Sequence, residues 1–251
     1  MPPSPCCSWS GKSPGEEEGT LMLHPLTLVK LEDALAQAGC PICWDMDRST
    51  RRYLRGLLRA DKGAEGVWER LRQNWGLCHP HTQRLLAEEA ESIPGFSTAI
   101  LFRSLIDALL SRARGGGSGR HRLGRRAFRA LLRPEGGCLA CEQLGDYERA
   151  VIGGLVETLT AGQPPEIREM YVHGDGLCLP HLRIALDRAG SSGTADLLRE
   201  RFQSRLEALA AELEAFVEAH APNGAKQEKS HSDVWLRAVE QFSGRLARTE
   251  E

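Results

Sequence analysis

The sequence predicts an all-α protein made of two duplicated helical repeats. Ala, Leu, Arg and Glu dominate it, all of them strong helix formers apart from their role in any core, while aromatic residues make up only 6%. Apolar residues recur at three- and four-residue steps along most of the chain, and runs of β-branched residues are scarce. A C-x2-C pair followed by a C-x2-H pair also occurs twice, with offsets of 98 and 100 residues between corresponding positions.

The elements follow in order. Residues 1–24 are rich in Pro, Ser, Gly and Glu and read as a disordered extension, with Met22 as an alternative start. Cys6 and Cys7 lie there without nearby partners and read as incidental thiols. Residues 25–113 form the first repeat. Leu28, Leu31 and Leu35 mark a short helix, and a hairpin runs outward over 44–60 and back over 64–74. One helix then runs from Cys78 to about Ser92, where Pro94-Gly95 breaks the pattern, and another covers 96–113.

Residues 114–135 are a Gly/Arg-rich linker and the start of a basic helix at 125–132. The second repeat, 136–221, restates the plan. A long helix spans 142–161, Gln163-Pro164-Pro165 turns the chain, and a helix follows Cys178 as far as Ala189. A longer one spans 194–220 with a seam of Leu198, Phe202, Leu206, Leu209, Leu213 and Phe216, a stripe typical of domain core. Residues 222–251 hold a polar linker and a closing helix with Trp235, Val239 and Phe242.

Composition narrows the function. A length of 251 residues suits one large domain or two small ones, and 41% hydrophobic residues leave no generous core for two halves. Staples would help such halves. A net charge of −2 argues against a general polyanion binder. No apolar run reaches the ~18–20 residues of a membrane span, and no secretory signal precedes the first helix. The expected location is the cytoplasm, where disulfides are uncommon. Eight cysteines there need another role.

Six of them have one. The first signature is Cys40, Cys43, Cys78 and His81; the second is Cys138, Cys141, Cys178 and His181. Two ligands separated by two residues turn around one ion, and a second such pair completes a tetrahedron. Three thiolates and an imidazole suit a borderline-soft cation and leave no open position, so the expectation is two structural zinc ions per chain, one in each repeat. Each pair is expected to cap a helix, where free amides favour thiolate charge, with Pro80 and Pro180 in the first turn. Gly76-Leu77-Cys78-His79-Pro80-His81 matches Gly176-Leu177-Cys178-Leu179-Pro180-His181 at five of six positions, which selects His81 over His79 as ligand.

The motifs CPIC…GLCHPH and CLAC…REMYVHGDGLCLPH resemble those of a bacterial family known as domain of unknown function 6062, with its doubled CPxC…G[FL]CxxH pattern. The ending Asp233-Val234-Trp235-Leu236-Arg237-Ala238-Val239-Glu240 with Gly244 is similar to that family's Trp-Arg-Ala-type helix. The likeness covers about residues 25–245. It implies the fold and the metal positions and brings no activity. The Gly/Arg-rich linker and the polar amino-terminal extension depart from the family's pattern.

Other chemistries fit less well. CPIC is similar to the thioredoxin-type redox motif, but no strand precedes Cys40. Covalent haem attachment needs histidine where Trp44 and Glu142 stand. An iron–sulfur cluster remains an alternative to zinc. Eight arginines between Arg112 and Arg133 could neutralise phosphates, though Phe128 is the one aromatic among them and a solvated linker is the plainer reading. Glu88 and Glu89 read as helix-surface carboxylates, and Trp68 and Trp75 as packing beside the first site. No phosphate loop or nucleophile elbow occurs. The expected role is a non-enzymatic zinc-binding scaffold for a protein partner. The alternative is a redox- or zinc-responsive regulator, with nucleic acid as a possible ligand of the linker.

Overall fold

The computed structural model describes residues 25–59, 65–89, 95–114, 126, 129–130, 132–190, 193–220 and 233–245. Cys6 and Cys7, most of the glycine-rich linker with its basic helix start, and the polar stretch before the last helix lie outside these residues.

The described chain is all-helical. Its ten helices are α1 (Pro25–Leu35), α2 (Pro41–Arg59), α3 (Glu65–Gln73), α4 (His79–Glu89), α5 (Phe96–Ala113), α6 (Leu139–Ala161), α7 (Pro165–His173), α8 (Leu179–Ala189), α9 (Gly193–His220) and α10 (Val234–Ser243). None is long and apolar enough to cross a membrane. Two compact units divide the chain. Unit one holds Ser49–Asp146, and unit two holds Gly19–Arg48 with Tyr147–Glu251, so both boundaries fall inside helices, α2 and α6.

Unit two has the larger apolar core. Val151, Ile152, Leu155, Val156 and Leu159 of α6 recur at one- and three-residue steps and form a wide stripe. Onto it pack Leu31 and Leu35 of α1, Ile42 at the start of α2, Ile167 and Tyr171 of α7, Leu182 of α8 and Leu198 of α9. Leu198 and Leu209 of the expected α9 seam are buried, and Phe202 packs on the core edge. α10 lies against α8 and α9 in a way its sequence does not suggest. Trp235, Val239 and Phe242 are exposed, whereas Val234 and Gln241 are buried. Gln241 is inward because its Nε2 donates to the Leu177 carbonyl at 2.9 Å.

In unit one, Leu54 of α2, Leu71 of α3, Leu85 of α4 and Leu101 and Leu105 of α5 are buried. The expectation of surface carboxylates at Glu88 and Glu89 is corrected here, since both are buried. Glu88 accepts hydrogen bonds from Arg55 at 2.7 Å and pairs with Arg84 at 3.3 Å, so its charge is compensated. Glu89 accepts the Thr98 amide at 3.0 Å, satisfying a free donor in the first turn of α5, whose own Gly95 offers no side-chain cap. Trp75 carries the Arg112 guanidinium over its ring at 5.0 Å. Trp68 lines a groove with Leu57, Leu58, Phe96 and Ile100.

Candidate metal centres

Each expected ligand pair sits at the start of a helix, and the helix begins one turn earlier than the sequence pattern suggests. The carbonyls of Cys40, Cys78, Cys138 and Cys178 accept the first helical bonds, from Trp44, Thr82, Glu142 and Leu182, at 2.8–3.1 Å. The first ligand of each pair therefore caps the helix and the second lies three residues into it. One turn brings both side chains to the same end of the helix, where unpaired amides favour negative charge.

Glycines hold two of these starts. Gly76 and Gly176 adopt φ of +94° and +73°, values that favour glycine. A Cβ on Gly76 would meet the Leu105 side chain at 3.2 Å, and one on Gly176 would meet that of Arg201 at 3.1 Å. The shared Gly-Leu-Cys motif is thus a backbone requirement as well as a spacing.

All eight expected residues gather into two four-ligand clusters, but the pairing differs from the sequence expectation. Cys40 and Cys43 meet Cys178 and His181 in unit two, and Cys78 and His81 meet Cys138 and Cys141 in unit one. The expected closure of Cys40/Cys43 with Cys78/His81, and of Cys138/Cys141 with Cys178/His181, does not occur. The spacing within each half does not decide which pairs meet, and the helices of each half are unequal in length. The expected hairpin ran outward over 44–60 and back over 64–74, whereas α2 has 19 residues and α3 nine. At 1.5 Å per residue α2 is about 28 Å long and α3 about 13 Å, so α3 by itself does not match the length of α2. The second half repeats the mismatch, with 23 residues in α6 against nine in α7. His79 is exposed and belongs to neither cluster, while His81 joins one.

The geometry suits a single ion in each cluster. All four ligand atoms lie within 4.8 Å of one another. In unit two, His181 Nδ1 is 3.4 Å from the sulfurs of Cys40 and Cys43 and 3.1 Å from that of Cys178, and Cys43 and Cys178 are 3.6 Å apart. In unit one, His81 Nδ1 lies 3.2, 3.6 and 3.4 Å from Cys78, Cys138 and Cys141, and the Cys78–Cys141 separation is 3.6 Å. A regular tetrahedron around zinc has edges of about 3.8 Å between sulfurs and about 3.6 Å between sulfur and nitrogen, given bonds of about 2.3 and 2.0–2.1 Å. The six cysteines are free rather than disulfide-bonded.

Crowding sets the thiols against one another. Hydrogen bonds with Cys40 and Cys43 draw Cys178 down to about 4. Burial and the neighbouring Cys178 and Cys43 push Cys40 well up. In unit one, burial pushes Cys138 up but the His81 hydrogen bond and backbone amides prevail, leaving it at about 6. Burial and the Cys138 charge raise Cys141. One sulfur in each cluster thus takes the charge while a neighbour keeps its proton. A divalent cation would remove that conflict by favouring the thiolate at every position.

Several supporting groups carry no local signal in the sequence. Glu148 Oε1 lies 2.8 Å from His181 Nε2, fixing the ring so that Nδ1 faces the sulfurs. The Arg245 amide donates to Cys43 Sγ at 3.3 Å, and Gly244, at φ +82°, passes close to the same sulfur. Asp175 accepts the Gly39 amide at 2.6 Å and the Arg205 guanidinium at 3.1 Å, joining the segments that precede Cys40 and Cys178. Beside unit one's cluster, burial and the charge of Cys138 push the Tyr53 hydroxyl up to about 12.

No family model, curated protein or solved structure matches the chain.

Proposed function

We propose that the chain is a non-enzymatic zinc-binding helical scaffold for a protein partner, with two structural Cys3His sites. The observation that carries this reading is the gathering of three sulfurs and one imidazole nitrogen within 4.8 Å of one another, close enough to share one ion and met twice by the same donor set. Four protein ligands leave no position for a substrate or an activated water, which speaks against a catalytic ion. Four donor atoms all within 4.8 Å of one another enclose one ion and favour zinc over a multi-iron cluster.

The surface presented would be that of unit one. Phe96, Ile100, Ile106 and Leu110 of α5 are exposed, and Phe96 and Ile100 border an apolar groove of about 1010 Å³. The nucleic-acid alternative draws less support, because Arg112, at the start of the arginine-rich stretch, is paired with Glu135 at 3.1 Å. A regulatory reading is favoured by one observation, the partial exposure of Cys78, His81 and Cys141.

Elemental analysis of the purified full chain tests the metal reading. Two equivalents of zinc are expected, and less than one after metal-replete expression would overturn it. Recovery from native cells with identification of bound proteins tests the scaffold.

A further inference from the structure

We infer that the two centres are unequal: the unit-one centre is an exchangeable zinc site, open to small chelating or thiol-bearing ligands, while the unit-two centre holds its ion permanently. This rests on the zinc reading above.

Ligand exchange at a closed tetrahedral ion needs an incoming donor to reach the metal over a face of the tetrahedron and form a transient fifth bond. The two clusters differ in whether such a face is open. In unit two, Cys43, Cys178 and His181 are buried, 8%, 1% and 7% exposed, and only Cys40 is partly accessible. In unit one the proportion is reversed. Cys138 is buried, whereas Cys78, His81 and Cys141 are all partly exposed. These three residues define one whole face of the tetrahedron, so a donor can approach the ion opposite Cys138.

The departing ligands are also held differently. His181 cannot rotate off an ion without breaking its 2.8 Å contact with Glu148. His81 has no such carboxylate among the described residues. In unit two, Cys43 Sγ accepts the Arg245 amide just beyond the end of α10, and Gln241 within α10 fastens the segment before Cys178 through the Leu177 carbonyl. Loss of Cys43 or Cys178 from an ion would therefore also disturb α10. Removing the unit-one ion requires a chelator to take the zinc and water to supply protons to the freed thiolates, with no oxidant involved.

The test uses the full chain loaded with two zinc ions. Excess 4-(2-pyridylazo)resorcinol reports released zinc by absorbance, while N-ethylmaleimide traps the freed thiols for peptide mapping. One equivalent should leave about ten- to one-hundredfold faster than the other, the span typical of losing supporting contacts. Label should appear on Cys78, Cys138 and Cys141 before Cys40, Cys43 and Cys178. Glu148→Ala should speed the slow phase and leave the fast one unchanged. A single rate for both equivalents, or earlier labelling of the unit-two cysteines, would overturn the inference. A chain holding no zinc at the outset would overturn the metal reading, and this inference with it.

Discussion

Glu148 and His181 meet at 2.8 Å, carboxylate oxygen to Nε2, although 33 residues separate them and they belong to different helices. The contact turns the opposite ring nitrogen, Nδ1, toward three sulfurs. It fixes both the tautomer and the aim of the imidazole, as an outer carboxylate does for metal-bound histidine.

Glu148→Gln should therefore weaken zinc at unit two about tenfold while leaving the fold intact. Competition titration against a chelator of known affinity measures it. An unchanged affinity would mean that the packing of α8 alone orients His181.

Removing a single ligand should disorder the unit that contains its cluster, and the affected residues should follow the exchanged pairing. Cys78→Ser should loosen Ser49–Asp146, and Cys178→Ser should loosen the Tyr147–Glu251 portion together with the α1–α2 start. Structural zinc contributes on the order of 10 kcal/mol in small domains, comparable with the ~5–15 kcal/mol of a whole domain. Hydrogen exchange read by mass spectrometry separates the two patterns. Cys78→Ser loosening around Cys40 and sparing Cys138 would contradict the pairing.

Gly76→Ala and Gly176→Ala should each cost about 1–2 kcal/mol, because both positions hold a left-handed φ and the new methyl would crowd Leu105 or Arg201. Urea unfolding of the zinc-loaded variants gives the values. Gly162→Ala, also at positive φ but with nothing near its Cβ, should lose only the backbone component.

Tyr171→Phe should be neutral or stabilising by up to about 1 kcal/mol. The Tyr171 hydroxyl is fully buried and makes no hydrogen bond among the described residues, so the variant removes a desolvated polar group and leaves no described partner behind. Thermal melting of the zinc-loaded protein decides it, and a clear loss of stability would reveal a partner for the hydroxyl.

The helices and the eight clustered Cys and His residues could be read in the sequence because both depend on local spacing. A helix needs only its periodic apolar residues, and a Cys-x2-Cys or Cys-x2-His pair needs only one turn. Which pair meets which is a nonlocal question, and the repeated spacing of the two halves invites the wrong answer. Helix length does not settle it from sequence either, since α3 has nine residues against nineteen in α2 and four more follow before Cys78. Glu148 and Arg245 were illegible for a related reason, since a carboxylate on a helix and a backbone amide carry no pattern of their own. Gln241 was hidden by its neighbours: Trp235, Val239 and Phe242 suggest an inward face, and a single side-chain hydrogen bond sets the opposite one.

The nesting of one ligand set inside the other also orders events during synthesis. As the nascent chain leaves the ribosome, the inner set is complete once Cys141 has emerged. The outer set must wait for His181, some 40 residues later, and for Arg245 beyond it. At about 5–20 residues per second that interval is about 2–8 s. Cys40 and Cys43 are the first of the eight ligands to be made, yet they find their partners last. Through that interval the growing chain carries an assembled inner unit and an unmatched pair of thiols upstream of it.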